Sequence, residues 1–137
     1  MKRATLLFVA ALLLASCGGG GKSDAGSGSS TAPRPESPAT IKILSPKDGG
    51  VIKGSSTDVK MDLQGGRVVD MSVTKVTPTT GHIHLQLDGK VVAMAAGLDQ
   101  QLDGLKPGTH TLRIEFVAGD HLPFDPPVFD EIAFTVK

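Results

Sequence analysis

The chain divides into three regions by the pattern of its apolar positions. Residues 6–15 form an unbroken apolar run after Lys2 and Arg3, and residues 18–39 contain, apart from proline, no apolar residue larger than alanine. From residue 40 onward, short apolar stretches alternate with polar residues at every second position and are separated by turn-forming residues. Alternation with a period of two predicts half-buried β-strands, and no 11-residue window has a good helical period. We therefore predict a short leader, a disordered linker and one all-β domain.

The strand pattern of the third region predicts two antiparallel sheets packed face to face. Asp88-Gly89 is a strong hairpin signal between two of the strands. The stretch at 68–76 is ragged and is interpreted as an edge strand. Packing two sheets against each other is the economical way to bury every apolar stripe. The predicted strands are 41–44, 58–63, 68–76, 82–87, 90–95, 98–105, 109–117 and 129–136.

The leader has the features of an export signal. A run of ten apolar residues is too short to cross a hydrocarbon core of ~30 Å, which needs about 20 helical residues, but it suits the apolar part of a signal peptide. The run ends at Leu14-Ala15-Ser16-Cys17, which resembles the bacterial lipobox. The resemblance implies cleavage before Cys17 and acylation of its thiol, so that residues 1–16 are a signal peptide, 17–39 a lipid-anchored flexible linker and 40–137 the domain.

Four motifs in the domain resemble known exported modules. Ile41-x-Ile43-x-Ser45-Pro46-x-Asp48-Gly49 is similar to the first strand and turn of bacterial immunoglobulin-like modules. Leu105-x-Pro107-Gly108-x-His110-x-Leu112 resembles the corner before their penultimate strand, with His110 where a tyrosine often bonds to the backbone. Together with Gly81-His82-Ile83-His84-Leu85 and the segment 120–127, these motifs resemble small exported bacterial domains of unassigned function. The resemblance implies an immunoglobulin-like antiparallel β-sandwich of about seven strands, in which Gly108 and His110 form a structural corner.

Three of the four histidines form a candidate metal site. His82 and His84 are two residues apart on a predicted strand and therefore point to the same face, opposite Ile83. In an immunoglobulin-like sheet this strand neighbours the penultimate one, so that His121 can approach them, with Asp120 or Asp125 nearby. Imidazole with carboxylate suits Zn²⁺ or Cu²⁺. The alternative hypothesis is that these histidines only hydrogen-bond neighbouring backbone.

Two further features of the sequence allow more than one interpretation. Leu122 and Phe124 lie in a proline-rich stretch that fixes the shape of the loop, and they are predicted either to contact a partner or to plug the end of the sandwich. Met61, Met71 and Met94 carry thioether sulfurs, a type of ligand that suits Cu(I). Met61 follows the inward stripe and is interpreted as core, whereas Met94 is undecided.

Composition narrows the classes of function. Fourteen basic residues balance fourteen acidic ones, and the chain has neither Trp nor Tyr, which argues against nucleic-acid binding because that needs a basic face. No nucleophile elbow, phosphate loop or His-Glu-x-x-His motif is present in the sequence. We expect a non-catalytic lipoprotein that displays a binding or spacer domain to an envelope protein or cell-wall partner. Metal binding or delivery is the second hypothesis, and an unrecognised hydrolase the third.

Overall fold

The computed structural model of the chain describes residues 33–137, so the predicted signal peptide, Cys17 and most of the predicted linker lie outside the described residues. Within 33–137 no helix has the length and apolar character needed to cross a membrane. The described strands are β1 Thr40–Ser45, β2 Gly50–Ile52, β3 Ser56–Gln64, β4 Arg67–Val68, β5 Thr80–Leu87, β6 Lys90–Ala95, β7 Asp99–Asp103, β8 Gly108–Ala118 and β9 Pro123–Val136.

The strands form two sheets with one hydrophobic core between them. The smaller sheet has the order β1-β3-β7, and the larger has the order β2-β9-β8-β5-β4, with β6 also paired to β5. Val59 and Met61 of the smaller sheet and Ile83, Leu85 and Phe116 of the larger belong to the same buried cluster. The predicted fold class, an all-β immunoglobulin-like sandwich, is confirmed. Sequence patterning did not predict the short β2, and it predicted β4 only as part of a longer strand at 68–76.

The hairpin between β5 and β6 forms at the predicted turn. Asp88 and Gly89 both have positive φ, 51° and 79°, as the two central residues of a type I′ turn require. The β5–β6 register then shifts between Leu85 and Gln86, because β6 contains one extra residue there. This β-bulge decides which residue of β6 lies beside each residue of β5.

The predicted edge strand at 68–76 is wrong except at its start. Only Arg67–Val68 pairs, in parallel with β5. The chain then turns, because the carboxylate of Asp70 accepts hydrogen bonds from the backbone N–H and the hydroxyl of Ser72. The N–H of Val73 also bonds to the carbonyl of Asp70. A short polar side chain that bonds its own backbone favours a turn over a strand.

The last strand begins earlier than predicted, at Pro123 rather than at residue 129. Two consecutive prolines, Pro126 and Pro127, lack the N–H that a central strand needs. They are tolerated because they lie in the register shift of the β8–β9 ladder, between Pro123, which pairs with Val117, and Val128, which pairs with Phe116, and because β2 pairs only with the end of β9.

Residues 33–39, which the sequence assigns to the linker, pack on the sandwich. Ala39 is only 6% exposed and belongs to the core. The carbonyl of Pro35 accepts a hydrogen bond from the N–H of Asp125, 3.1 Å away. The packed unit therefore extends upstream of residue 40, since these backbone and side-chain groups find partners that composition alone does not reveal.

Candidate functional site

The two histidines of β5 lie on the outer face of the larger sheet. Ile83 and Leu85 are fully buried in the core, so strand alternation turns His82 and His84 to the opposite face. This face is not open to solvent at that point: His82 has no exposed surface and His84 is 9% exposed. The segment after β4 contacts the ring of His82, and the loop between β8 and β9 contacts the rings of both His82 and His84.

His121 reaches the strand histidines from the β8–β9 loop. Its ring stacks on that of His82, with the centroids 4.4 Å apart and the planes inclined by 19°. Its Nδ1 lies 3.2 Å from Nε2 of His84. At that distance one nitrogen carries a proton and donates it to the lone pair of the other. The structure therefore brings the three candidate histidines into contact.

The backbone of His121 is in the left-handed region, with φ of 62°. A side chain with a Cβ is sterically disfavoured there, so neighbouring contacts have to hold it. The N–H of His121 donates to the carbonyl of Ala118, and the N–H of Ala118 donates to the carbonyl of Leu122. These two bonds close a tight loop that points the imidazole back over β5.

The tautomer of His82 follows from its partner. Its Nε2 lies 3.0 Å from the carbonyl oxygen of Asp70, and because a carbonyl only accepts, Nε2 carries the proton. The other nitrogen, Nδ1, is then a lone pair in the neutral ring. It is buried and has no hydrogen-bond partner among the described residues, a situation that costs about 1–3 kcal/mol for a buried polar group.

Burial and neighbouring charge favour the neutral form of His84. Burial lowers the pKa of His84, and the charges of protonated His121 and His82 lower that pKa further. A neutral imidazole offers a lone pair, whereas an imidazolium offers only protons. The lowered pKa therefore favours the form of His84 that offers a lone pair to a proton or a metal ion.

Two side chains that can interact with a cation, those of Met94 and Glu115, lie on the strands on either side of His84. The β5–β6 bulge puts Met94 directly opposite His84, and Met94 is 55% exposed. On the other side Glu115 of β8 is opposite His84 and is 6% exposed. The Glu115 carboxylate lies 3.3 Å from the amide nitrogen of Gln86 and 3.7 Å from the guanidinium of Arg113.

Asp120, the predicted carboxylate of the site, is engaged elsewhere. The guanidinium of Arg34 donates to both of its oxygens, at 2.6 and 3.0 Å. These bonds from Arg34 are the main reason that the pKa of Asp120 is lowered. Asp120 therefore holds the loop that carries His121 and does not join the histidine cluster.

No three His, Cys, Asp or Glu side chains in residues 33–137 are arranged as a ready-made metal site. The rings of His82 and His84 are both nearly parallel to that of His121, inclined by 19° and 17°, whereas the ligands of one ion must all point a nitrogen at it. The geometry does supply a pair of nitrogens, on His84 and His121, in a half-buried position with a thioether and a carboxylate nearby. Such a pair can share a proton or bind a cation.

The predicted corner lies away from the histidine cluster. Nε2 of His110 lies 2.7 Å from the carbonyl of Lys106, and its Nδ1 lies 2.7 Å from the carboxylate of Asp88. With both nitrogens donating, the ring is an imidazolium, and the carbonyl of Lys106 followed by the carboxylate of Asp88 raises its pKa. Gly108 has φ of 133° at the start of β8, a conformation that favours glycine.

Of the two candidate contact residues, the structure leaves one accessible. Phe124 is 2% exposed and belongs to the core, with its ring 5.4 Å from that of Phe116. It plugs the sandwich and cannot contact a partner, because its ring is buried in the core. Leu122 is 53% exposed next to His121.

Sequence reasoning missed three contributors to this site. Glu115 could have been predicted from the sequence. It alternates with Ile114 and Phe116, so it faces away from the core, on a strand predicted to lie beside 82–87. Arg34 and the carbonyl of Asp70 gave no signal, because both reach the site from segments whose placement depends on the folded chain.

No protein-family model matches the chain, and no curated protein matches it significantly in sequence. Solved structures of similar shape include the fibronectin(III)-like modules of Clostridium thermocellum CbhA, 15% identical, covering 72% of this chain and 96% of that one, with a TM-score of 0.49. The PKD domain of human KIAA0319 is 14% identical and covers 82% of this chain and 92% of that one, with a TM-score of 0.45. CopC from Methylosinus trichosporium OB3b is 18% identical and covers 72% and 93%, with a TM-score of 0.38.

Proposed function

We propose that the chain is a lipid-anchored protein of the cell envelope whose immunoglobulin-like domain binds Cu²⁺ or Zn²⁺ through His84 and His121, with His82 beside them. The observation that carries this proposal is the 3.2 Å separation between Nε2 of His84 and Nδ1 of His121. Two imidazoles bound to one ion at ~2.0–2.1 Å place their nitrogens about 2.8–3.4 Å apart for angles between square and tetrahedral. The ion would replace the proton that the two rings share.

His82 supports the proposal through its unpaired nitrogen. Histidines that bind metals usually donate their other N–H to a backbone carbonyl or a carboxylate, which fixes the tautomer. His82 makes this bond to the carbonyl of Asp70 and leaves Nδ1 buried without a partner. A rotation of the stacked rings would bring this lone pair to the ion as a third ligand, and a water on the ion is the alternative third ligand.

The surroundings suit a cation that binds without turnover. Glu115 beside His84 supplies negative charge to offset that of the ion, and the thioether of Met94 on the other side suits copper. None of the described contacts places a nucleophile next to a general base at this site. The proposal is therefore binding or delivery of the metal, without catalysis.

The test is a titration of the metal-free chain with Cu²⁺ and with Zn²⁺, read by calorimetry and by competition with a chelator of known affinity. We expect one ion per chain, and weaker binding after His84→Ala or His121→Ala, because each variant removes half of the nitrogen pair. His110→Ala is the matched control: it removes a histidine whose ring bonds to Lys106 and Asp88 instead, and it should leave the affinity unchanged.

Two outcomes would reject metal binding. One is a dissociation constant of about 1 mM or weaker for both ions. The other is tighter binding that survives the double variant His82→Ala with His84→Ala. Either result would return the histidines to a structural role.

The anchoring part of the proposal rests on the lipobox-like motif at Cys17. Several acyl chains hold a protein at a membrane, at ~0.8 kcal/mol for each buried CH₂. Mass spectrometry of the native chain should show an N terminus at Cys17 with added acyl groups, and Cys17→Ala should leave the protein unprocessed. An unmodified, uncleaved N terminus in the native chain would contradict the proposal.

A second candidate function is docking of an envelope protein or cell-wall partner, as expected for a display or spacer domain. It is favoured by the exposure of Leu122, which projects beside the histidine cluster. A photocrosslinker placed at position 122 should capture one partner in intact cells, and the same group at position 97 serves as the control. Equal capture from both positions would reject docking through Leu122.

A further inference from the structure

The guanidinium of Arg34 forms hydrogen bonds with residues on both sides of His121, the third histidine of the cluster. Arg34 donates from Nη1 and Nη2 to the carboxylate of Asp120, at 2.6 and 3.0 Å. It also donates from Nη2 to the carbonyl of Leu122 at 3.0 Å, and from Nε to the carbonyl of Pro123 at 2.9 Å. His121 lies between the residues that accept these bonds.

The loop needs such a support. His121 has a left-handed backbone, and strained conformations of this kind persist only where the surroundings fix them. The two backbone bonds at Ala118 close the loop, but they do not fasten it to another part of the molecule. The four bonds from Arg34 do, and its side chain and that of Asp120 are only 27% and 30% exposed.

Arg34 itself is held by the segment that precedes the sandwich. The carbonyl of Pro35 accepts a bond from the N–H of Asp125, and Ala39 is buried in the core. Arg34 thus acts from chain that lies between the predicted anchor at Cys17 and the first strand. Undocking this segment would remove the support of the loop without removing any histidine.

We propose that Arg34 is a positioning residue for His121, and that through it the metal affinity of the histidine site depends on whether residues 33–39 are docked on the domain. This inference rests on the proposed metal-binding function. Its physical basis is that the planar guanidinium fork fixes a carboxylate and two carbonyls at once, which the single ammonium group of a lysine cannot do.

The experiment compares Arg34→Ala, Arg34→Lys and the control Arg67→Ala in the full chain. Arg67 carries the same charge, and its side chain makes no hydrogen bond or ion pair with any described residue. We expect Arg34→Ala to weaken Cu²⁺ or Zn²⁺ binding about 10- to 100-fold, as loss of an orienting residue does. Arg34→Lys should fall between Arg34→Ala and the unaltered chain, and Arg67→Ala should bind normally.

A second readout needs no metal. The stacked rings of His82 and His121 should give nuclear Overhauser effects between their ring protons in the metal-free chain. Arg34→Ala should abolish them while far-ultraviolet circular dichroism stays unchanged, and Arg67→Ala should retain them. A role limited to fastening the segment would change stability but leave the ring contact and the affinity as they were.

Each result decides the inference. Normal affinity and an intact ring contact in Arg34→Ala would overturn it, even if the chain binds metal. If the unaltered chain binds neither ion, the proposed function fails, and the ring contact still shows whether Arg34 positions His121. If Arg34→Ala does not fold, Asp120→Asn gives a milder comparison, because it removes the charged acceptor and keeps the bonds from Arg34 to the two carbonyls; unchanged affinity and an unchanged ring contact would then overturn the inference.

Discussion

Among the described glycines, the closest approach to a neighbouring backbone is at Gly81, immediately before His82, where β5 passes β8. A Cβ on Gly81 would lie 1.8 Å from the carbonyl oxygen of Val117 and 2.9 Å from its carbonyl carbon. Contacts shorter than 3.0 Å to a Cβ are essentially never found. The obstacle is backbone on a paired strand, so no side chain can swing aside, and Gly81→Ala must push the two strands apart by roughly 1 Å or more.

The size of the effect follows from that displacement. Forcing a methyl group into a packed site costs about 1–3 kcal/mol. Separating the strands also weakens one or two ladder hydrogen bonds near Gly81, each with a net value of about 1 kcal/mol. We expect Gly81→Ala to lower the free energy of unfolding by about 3 kcal/mol or more, and to lower the Tm by at least ~12 °C.

Thermal and urea denaturation followed by far-ultraviolet circular dichroism measure this change, because the chain has no Trp or Tyr to report by fluorescence. The matched control is Gly97→Ala, since a Cβ there meets nothing within 4 Å and Gly97 has no positive φ. The control should stay within about 0.5 kcal/mol of the unaltered chain. Equal stability of the two variants would refute the close approach of β5 and β8, and with it the placement of the histidines.

Three further predictions concern the corner, the loop and the metal. The pKa of His110 is raised by the carbonyl of Lys106 and by Asp88, and the pKa of Asp88 is lowered by the N–H of Thr111 and by His110. The contribution of His110 is therefore present below its ordinary value of 6.5 and lost as the pH rises through its folded-state pKa. That of Asp88 is present above 3.8 and lost as the pH falls through its folded-state pKa. The stability difference between the chain and His110→Ala, from urea denaturation across a pH series, should peak between these values, and a flat difference would contradict the pair. Phe124→Ala should cost about 3–5 kcal/mol because the ring is buried, and the exposed Leu122→Ala less than about 0.5 kcal/mol; similar Tm values for the two would show that Phe124 is not a core residue. Met94→Leu should weaken Cu(I) binding and spare Zn²⁺, because thioethers prefer Cu(I); competition with a Cu(I) chelator measures this, and unchanged Cu(I) affinity would remove Met94 from the site.

Part of the candidate site was predictable because strand geometry is local. His82 and His84 had to share a face once 82–87 was a strand. Their proximity to His121 followed from the expected strand order of an immunoglobulin-like sheet. The role of Asp120 was not predictable, because its partner Arg34 is 86 residues away in the chain and lies in a segment whose composition resembles a linker.

The sequence by itself determined the sandwich. Each strand has apolar side chains on one face only, and packing two sheets with these faces together buries them. It also determined the β5–β6 turn, because Asp88-Gly89 suits the positive φ values required there.

Only the tertiary structure decided what surrounds the histidines. An unbroken hairpin from that turn would place Ala93 opposite His84, whereas the bulge at Leu85 and Gln86 places Met94 there. The left-handed backbone of His121 and the support from Arg34 likewise arise from contacts between distant segments. The apolar–polar alternation of a strand determines which face of the sheet a side chain lies on. Which atoms it contacts there depends on one extra residue in the neighbouring strand or on one hydrogen bond from a distant segment, and the local sequence pattern predicts neither.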